Sequence, residues 1–243
     1  MKELIEDIEH YLRFYQRSYS AQLRLNGVLR EIVWPEEGQK ITKNTGVPVV
    51  KSFNKILPQR SAELESYYQE IKNCTKCALH TGRKNFVFGY GNPNADLLFV
   101  GEAPGREEDE QGMPFVGPAG RLLDRMLSAI GLKREDVYIA NILKCRPPNN
   151  RDPLPDEVAQ CEPYLQRQIE LIQPKIIVAL GRIAGQSLLK TSDSLSKLRQ
   201  SVQMYQNIPL LITYHPAALL RNPRWKEQSW QDLKKLKNML KSV

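Results

Sequence analysis

The spacing of apolar residues divides the chain into three stretches. At the start, Leu4, Ile5, Ile8, Leu12, Tyr15 and Tyr19 recur at helical spacing and would share one face. Asn26-Gly27 offers a break, because both residues tolerate a positive φ. Residues 1–34 are therefore expected to form a helical N-terminal extension. From 35 to 60 the apolar pattern weakens while Pro35, Gly38, Gly46, Pro48 and Pro58 accumulate, the marks of a linker. Ser61 is then placed to cap a helix running to about Asn73, with Leu64, Tyr68 and Ile71 inward, and residues 61–243 follow as one domain.

Beyond Cys74, strand and helix signals alternate. The short apolar runs Leu97–Val100, Val137–Ala140, Ile176–Leu180 and Leu210–Thr213 are of buried-strand type. Between them, Leu122, Leu123, Met126, Leu127 and Ile130 have helical spacing ahead of Gly131, a fitting helix stop. Pro155-Asp156-Glu157 suits the first turn of another helix, and Leu233, Leu236 and Leu240 mark the inner face of a last one. Such alternation predicts an α/β fold, a three-layer sandwich around a mainly parallel four-stranded central sheet. Ligands of such sheets bind beyond the carboxyl ends of the strands. Gly101-Glu102, Asn141, Gly181 and His215 stand at those ends and are expected to face one crevice.

Composition narrows the class. The 243 residues include 35 Lys or Arg and 27 Asp or Glu, a formal charge of +8, with 41% hydrophobic and 26% charged residues. This is a globular balance. The excess of positive charge suits a polyanionic partner, most simply nucleic acid, although many basic proteins bind none. No apolar run approaches the roughly 18–20 residues of a membrane helix. The first fifteen residues, MKELIEDIEHYLRFY, lack the apolar stretch of a secretory signal. The expected address is the cytoplasm, with no membrane partner and a monomeric chain.

In a reducing compartment, disulfides explain the four cysteines poorly. Cys74 and Cys77 form a pair with two residues between; Cys145 follows after 67 residues and Cys161 after 15 more. Structural zinc more often uses two such pairs. One pair with two separated singles suits an iron–sulfur cube, in which each iron takes one thiolate. A redox Cys-x-x-Cys would leave Cys145 and Cys161 unexplained. Four unrelated buried cysteines are the plain alternative.

The strand-end loops carry the other candidate chemistry. Gly101-Glu102-Ala103-Pro104-Gly105 is followed by Glu108-Asp109 and by Pro114-Phe115-Val116-Gly117. Glycines let a backbone approach a ligand and offer its N–H groups, though tight loops use them for shape alone. Phe115 stands outside any helical periodicity, either as core packing or as a flat surface for a base. Asn141 either makes a turn hydrogen bond or reads a ligand edge, and His215 is either structural or catalytic. No G-x-G-x-x-G follows the first strand, so no nucleotide cofactor is expected.

Taken in order, these loop motifs, Asn141 with Lys144-Cys145-Arg146-Pro147-Pro148, His215-Pro216-Ala217-Ala218 and the four-cysteine spacing closely resemble the family 4 uracil-DNA glycosylases, the iron–sulfur branch of their superfamily. The likeness runs from about Cys74 to the C-terminus. It implies a uracil-DNA glycosylase-like fold and hydrolysis of the N-glycosidic bond of deoxyuridine in DNA, releasing uracil in base-excision repair. A non-catalytic iron–sulfur module binding DNA or a protein partner on the same fold is the alternative. By the resemblance, Cys74, Cys77, Cys145 and Cys161 would ligate a structural [4Fe-4S] cluster. Gly101, Glu102, Ala103 and Gly105 would line the uracil pocket and place the attacking water. Phe115 would stack on the flipped base, and Asn141 would read its edge, since an amide donates and accepts at once. His215 would donate to uracil O2, and Leu219, Leu220 and Arg221 would enter the DNA at the lesion. Better-known branches place a water-activating Asp where this chain has Ala103, so the activator is open, with Glu102 and Glu108 as candidates and backbone carbonyls with the DNA phosphate field as the alternative.

Overall fold

The structure, a computed structural model, describes residues 57–242. The expected extension, and the linker up to residue 56, lie outside the described residues. The first helix, α1, spans Leu57–Ile71 rather than starting at Ser61. Pro58 therefore belongs to a helix rather than to a linker, and proline is tolerated in a first helical turn. Arg60, in the same turn, donates to the Ile172 carbonyl at 2.9 Å, so tertiary contact extends the helix beyond its sequence cap.

After α1 come β1 (Tyr90–Gly91), β2 (Leu97–Gly101), α2 (Arg106–Gln111), α3 (Pro118–Ala129), β3 (Tyr138–Asn141), α4 (Pro155–Ile172) and β4 (Ile176–Leu180). Then follow α5 (Arg182–Leu189), α6 (Leu195–Leu198), β5 (Gln203–Tyr205), β6 (Ile208–Thr213), α7 (Pro216–Arg221) and α8 (Lys226–Leu240). The sheet order is β1-β3-β2-β4-β6-β5. The four inner strands are parallel, as expected; two antiparallel edge strands extend the expected four-stranded sheet to six. Both edge strands are too short to show periodicity. The β5–β6 hairpin turns at Gln206 and Asn207 with φ of 47° and 67°, without the Asn-Gly signature of such turns.

Alternation along each inner strand builds two cores. On β2, Leu98 and Val100 pack with Leu165, Ile169 and Ile172 of α4, while Leu97 and Phe99 pack with Leu123 and Leu127 of α3 and Leu233 and Leu236 of α8. This is the expected three-layer sandwich. The chain goes from β2 to its neighbour β3 on one side and then to β4 on the other. The strand order therefore reverses beside the carboxyl end of β2, the place where open α/β sheets bind ligands.

Candidate active site

Backbone pairing continues past the ends of β2 and β3. Ile142 N–H donates to the Gly101 carbonyl at 2.9 Å and Leu143 N–H to that of Glu102 at 3.0 Å. Asn141, only 2% exposed, is thereby held against Gly101. A Cβ at Gly101 would lie 2.3 Å from Asn141 Oδ1 and 2.7 Å from the Phe115 ring. Glycine is thus what allows these two side chains to meet. Asn141 Oδ1 is buried and finds no hydrogen-bond partner among the described residues. A buried acceptor left open costs free energy, so it marks a place where a ligand donor belongs.

Phe115 is buried and adopts φ 55°, a left-handed conformation unusual for a bulky side chain. Three groups hold it there. Gly120 leaves room for the Phe115 carbonyl, which a Cβ would approach to 1.8 Å. Arg134 donates to that same carbonyl. Glu108 accepts from the N–H groups of Val116 and Gly117, both at 2.9 Å, and from Gly105 N–H at 3.1 Å. The Glu108 carboxylate is therefore a clamp joining the two glycine loops. Gly105 N–H is likewise engaged by Glu108 and caps α2 rather than facing a ligand.

His215 follows β6 and precedes α7. Its ring lies 5.5 Å from that of Phe115, centroid to centroid, tilted by 33°. A Cβ at Gly181 would approach His215 Cβ to 3.0 Å, so glycine at the end of β4 admits the histidine. Ala217 N–H donates to His215 Nδ1 at 3.2 Å. Burial, aided by the charge of Arg221, pushes the imidazole pKa down to about 4. The ring is neutral at pH 7, and with Nδ1 accepting, its proton resides on Nε2.

Glu102 and His215 line one cleft of about 730 Å³. Burial raises the Glu102 carboxyl to about 7, with Asp152 adding and Arg182 and Arg221 opposing. Of the candidate carboxylates, Glu102 is the one in the cleft. Ala103 instead packs toward the α1–α4 core. Leu219, expected at the DNA, is 1% exposed and packs in the α3–α8 core. Leu220 is 41% exposed, and Arg221 lines the cleft. Residues not singled out from sequence also line it: Asp152, Arg182, Ser196, Arg199, Trp225 and Gln228. Only Arg182, directly after a strand end, carried a positional signal.

The four cysteines are unpaired thiols lining a second, small cavity. Donors point at their sulfurs: Tyr164 OH to Cys74 Sγ at 3.1 Å, Lys144 N–H to Cys161 Sγ at 3.3 Å and Arg83 Nη1 to Cys145 Sγ at 3.5 Å. Among the described residues, no three His, Cys, Asp or Glu side chains converge closely enough to hold a single metal ion. A cluster whose irons each take one thiolate needs no such convergence, and an all-thiol donor set with sulfur-directed hydrogen bonds fits it. Lys144, wholly buried, connects this region to the first: its Nζ donates to the Asn141 carbonyl at 2.9 Å and to Gln168 Oε1 at 2.6 Å.

Comparison with known proteins identifies the family. The family model for the uracil DNA glycosylase superfamily matches residues 88–234. The type-4 uracil-DNA glycosylase of Archaeoglobus fulgidus is 49% identical over 181 residues, 71% of this chain and 91% of that protein. Those of Saccharolobus solfataricus and Thermotoga maritima are 47% and 43% identical, over 74% and 75% of this chain and 87% and 97% of their own lengths. The chain belongs to the uracil DNA glycosylase superfamily and, within it, to the type-4 branch.

Proposed function

We propose that this chain is a uracil-DNA glycosylase, which hydrolyses the N-glycosidic bond of deoxyuridine in DNA, the first step of base-excision repair. The observation that carries the reading is the open Asn141 acceptor, buried beside Phe115 and Gly101 at the sheet's carboxyl edge. The base is unreachable inside a duplex, so the nucleotide is flipped out at a cost of a few kcal/mol. Phe115, fixed by its clamped loop, gives the flipped ring a face to stack on. Asn141 Oδ1 accepts from uracil N3–H while its amide donates to O4; cytosine presents the reverse pattern. Glycosidic cleavage leaves negative charge on the base, and His215 donates from Nε2 to O2 as that charge develops. Such preorganised donors are often worth about 3–4 kcal/mol. A neutral imidazole suits this role because it releases no proton during the step. Glu102, which lines the cleft with His215, orients the attacking water; Glu108 is occupied by three backbone N–H groups.

Cys74, Cys77, Cys145 and Cys161 would hold a [4Fe-4S] cluster, which supplies four iron–thiolate bonds that staple the segment after α1 to the β3 loop and α4. Reduced cysteines suit a cytoplasmic protein; among the described residues no helix is long and apolar enough to cross a membrane. The domain reading becomes an extension, a linker and a glycosylase domain entered through α1.

An oligonucleotide carrying one uracil, incubated with the protein and treated with alkali, tests this. Strand cleavage at the uracil that disappears in Asn141→Ala is expected. Cleavage at full rate in that variant would sink the pocket. No cleavage from a protein with its full visible iron–sulfur absorption would favour the binding-module alternative.

A further inference from the structure

The cleft that contains Glu102 and His215 continues into an aromatic wall that the reaction above does not use. Its first layer is Tyr214, 7% exposed, directly before His215. Trp225 stacks on Tyr214 with ring centroids 5.1 Å apart and planes 19° from parallel. The Arg199 guanidinium lies 4.1 Å from the Tyr214 ring centroid. The wall is fastened from behind. Arg199 pairs with Asp232, 2% exposed, at 2.8 Å and donates to the Gln228 carbonyl at 3.1 Å, while Tyr214 OH donates to Gln228 Oε1. Of the two stacked rings Trp225 is the open one, at 38% exposure, at the cleft.

A large aromatic face is costly to leave in water. Here it is kept rigid by a stack behind it and lies in the same cleft as the histidine that faces the base. Arg221 and Arg182, the latter in an exposed pair with Asp152, line the same cleft and suit a phosphate backbone. We infer that Trp225 is a stacking subsite for the nucleobase next to the flipped uridine, so that the enzyme grips an unpaired strand through two bases, one on Phe115 and one on Trp225. The inference rests on the glycosylase reading and deepens it. In a duplex, flipping the uridine uncovers only the face of its neighbour that borders the gap; the other face stays covered by its own stack and the edge stays paired. The base can reach an indole only where the strand is single or has been opened beside the lesion. The subsite therefore favours single-stranded DNA and is tolerant of sequence, because every base has a π-face.

Two measurements test it. Fluorescence anisotropy with a labelled, uracil-free single-stranded 20-mer reads binding without catalysis. Trp225→Ala should weaken binding about tenfold, Trp225→Phe should restore most of it, and Trp230→Ala, an equally exposed tryptophan of α8 outside the cleft lining, should stay within twofold. The corresponding duplex should show a smaller loss. The second measurement is excision KM on a uracil oligonucleotide in which the base on one or the other side of the uridine is replaced by an abasic analogue. On one of the two sides the wild type should lose about tenfold, and Trp225→Ala should lose nothing further. Equal binding by wild type and Trp225→Ala, or additive effects of base removal and Trp225→Ala, would overturn the subsite. Wild-type protein that excises no uracil would instead overturn the reading beneath it, and the two failures are distinguishable.

Discussion

His215 and Glu102 share the cleft yet are displaced from their ordinary pKa values in opposite directions, and this has a measurable consequence for stability. Folding lowers His215 from 6.5 to about 4, so its contribution is present above pH 6.5 and is lost as pH falls through about 4. Folding raises Glu102 from 4.5 to about 7, so its contribution is present below pH 4.5 and is lost as pH rises through about 7. Between pH 4.5 and 6.5 the unfolded histidine binds a proton that the folded one lacks, and the folded glutamate holds one that the unfolded one lacks. The two slopes are of opposite sign, each at most about 1.4 kcal/mol per pH unit. Both side chains are half-buried, and water that reaches them reduces this to about half. In the wild type they nearly cancel. Each conservative variant uncovers one of them. Relative to wild type, His215→Gln should lose stability as pH rises through this window, and Glu102→Gln should gain it. For a domain of this size the difference is about 2 °C in Tm per pH unit. Thermal melts of wild type and both variants at pH 4.5, 5.5 and 6.5, compared as differences, cancel all other titrating groups. Difference slopes of the same sign, or none, would refute the assignment of a neutral histidine and a protonated glutamate. The same shifts predict that single-turnover excision rises with pH through about 7 and that Glu102→Gln flattens this limb.

Glu108→Ala leaves three backbone N–H groups without their acceptor, so melting should fall by several degrees; in single-turnover assays at a temperature where it stays folded, it should lose less than Asn141→Ala or His215→Ala. Gly101→Ala drives a methyl against Asn141 and Phe115; excision should fall about a hundredfold and overpacking should cost about 1–3 kcal/mol in urea unfolding. Lys144→Met removes the donor to the Asn141 carbonyl without touching a cysteine side chain, so discrimination of uracil from cytosine should drop about tenfold while bound iron, read by absorption, stays unchanged. Cys161→Ser should lose visible absorption and bound iron and should melt at least several degrees lower; unchanged iron would exclude this cysteine from the cluster.

The inner sheet was legible because each of its strands is buried on both faces and reads as a continuous apolar run, and because the helices between them keep their period. Its edges were not legible: Tyr90–Gly91 and Gln203–Tyr205 are defined by their pairing partners rather than by their own residues. The same division runs through the site. Asn141 and His215 could be named from sequence because strand ends in a parallel sheet gather at one edge whatever the loops do. That Glu108 clamps two loops and Leu219 faces the core could not, since both depend on where a side chain ends up in space. Nor could the wall of Arg199, Tyr214 and Trp225, whose members come from three segments with no shared motif. The layering, the sheet edge that gathers the strand-end residues and the set of thiols can be read from the chain alone, because periodicity and residue chemistry are local. Which carboxylate is occupied, which remains in the cleft and which aromatic stays exposed follow from contacts between distant segments, and so emerge only once the chain is folded.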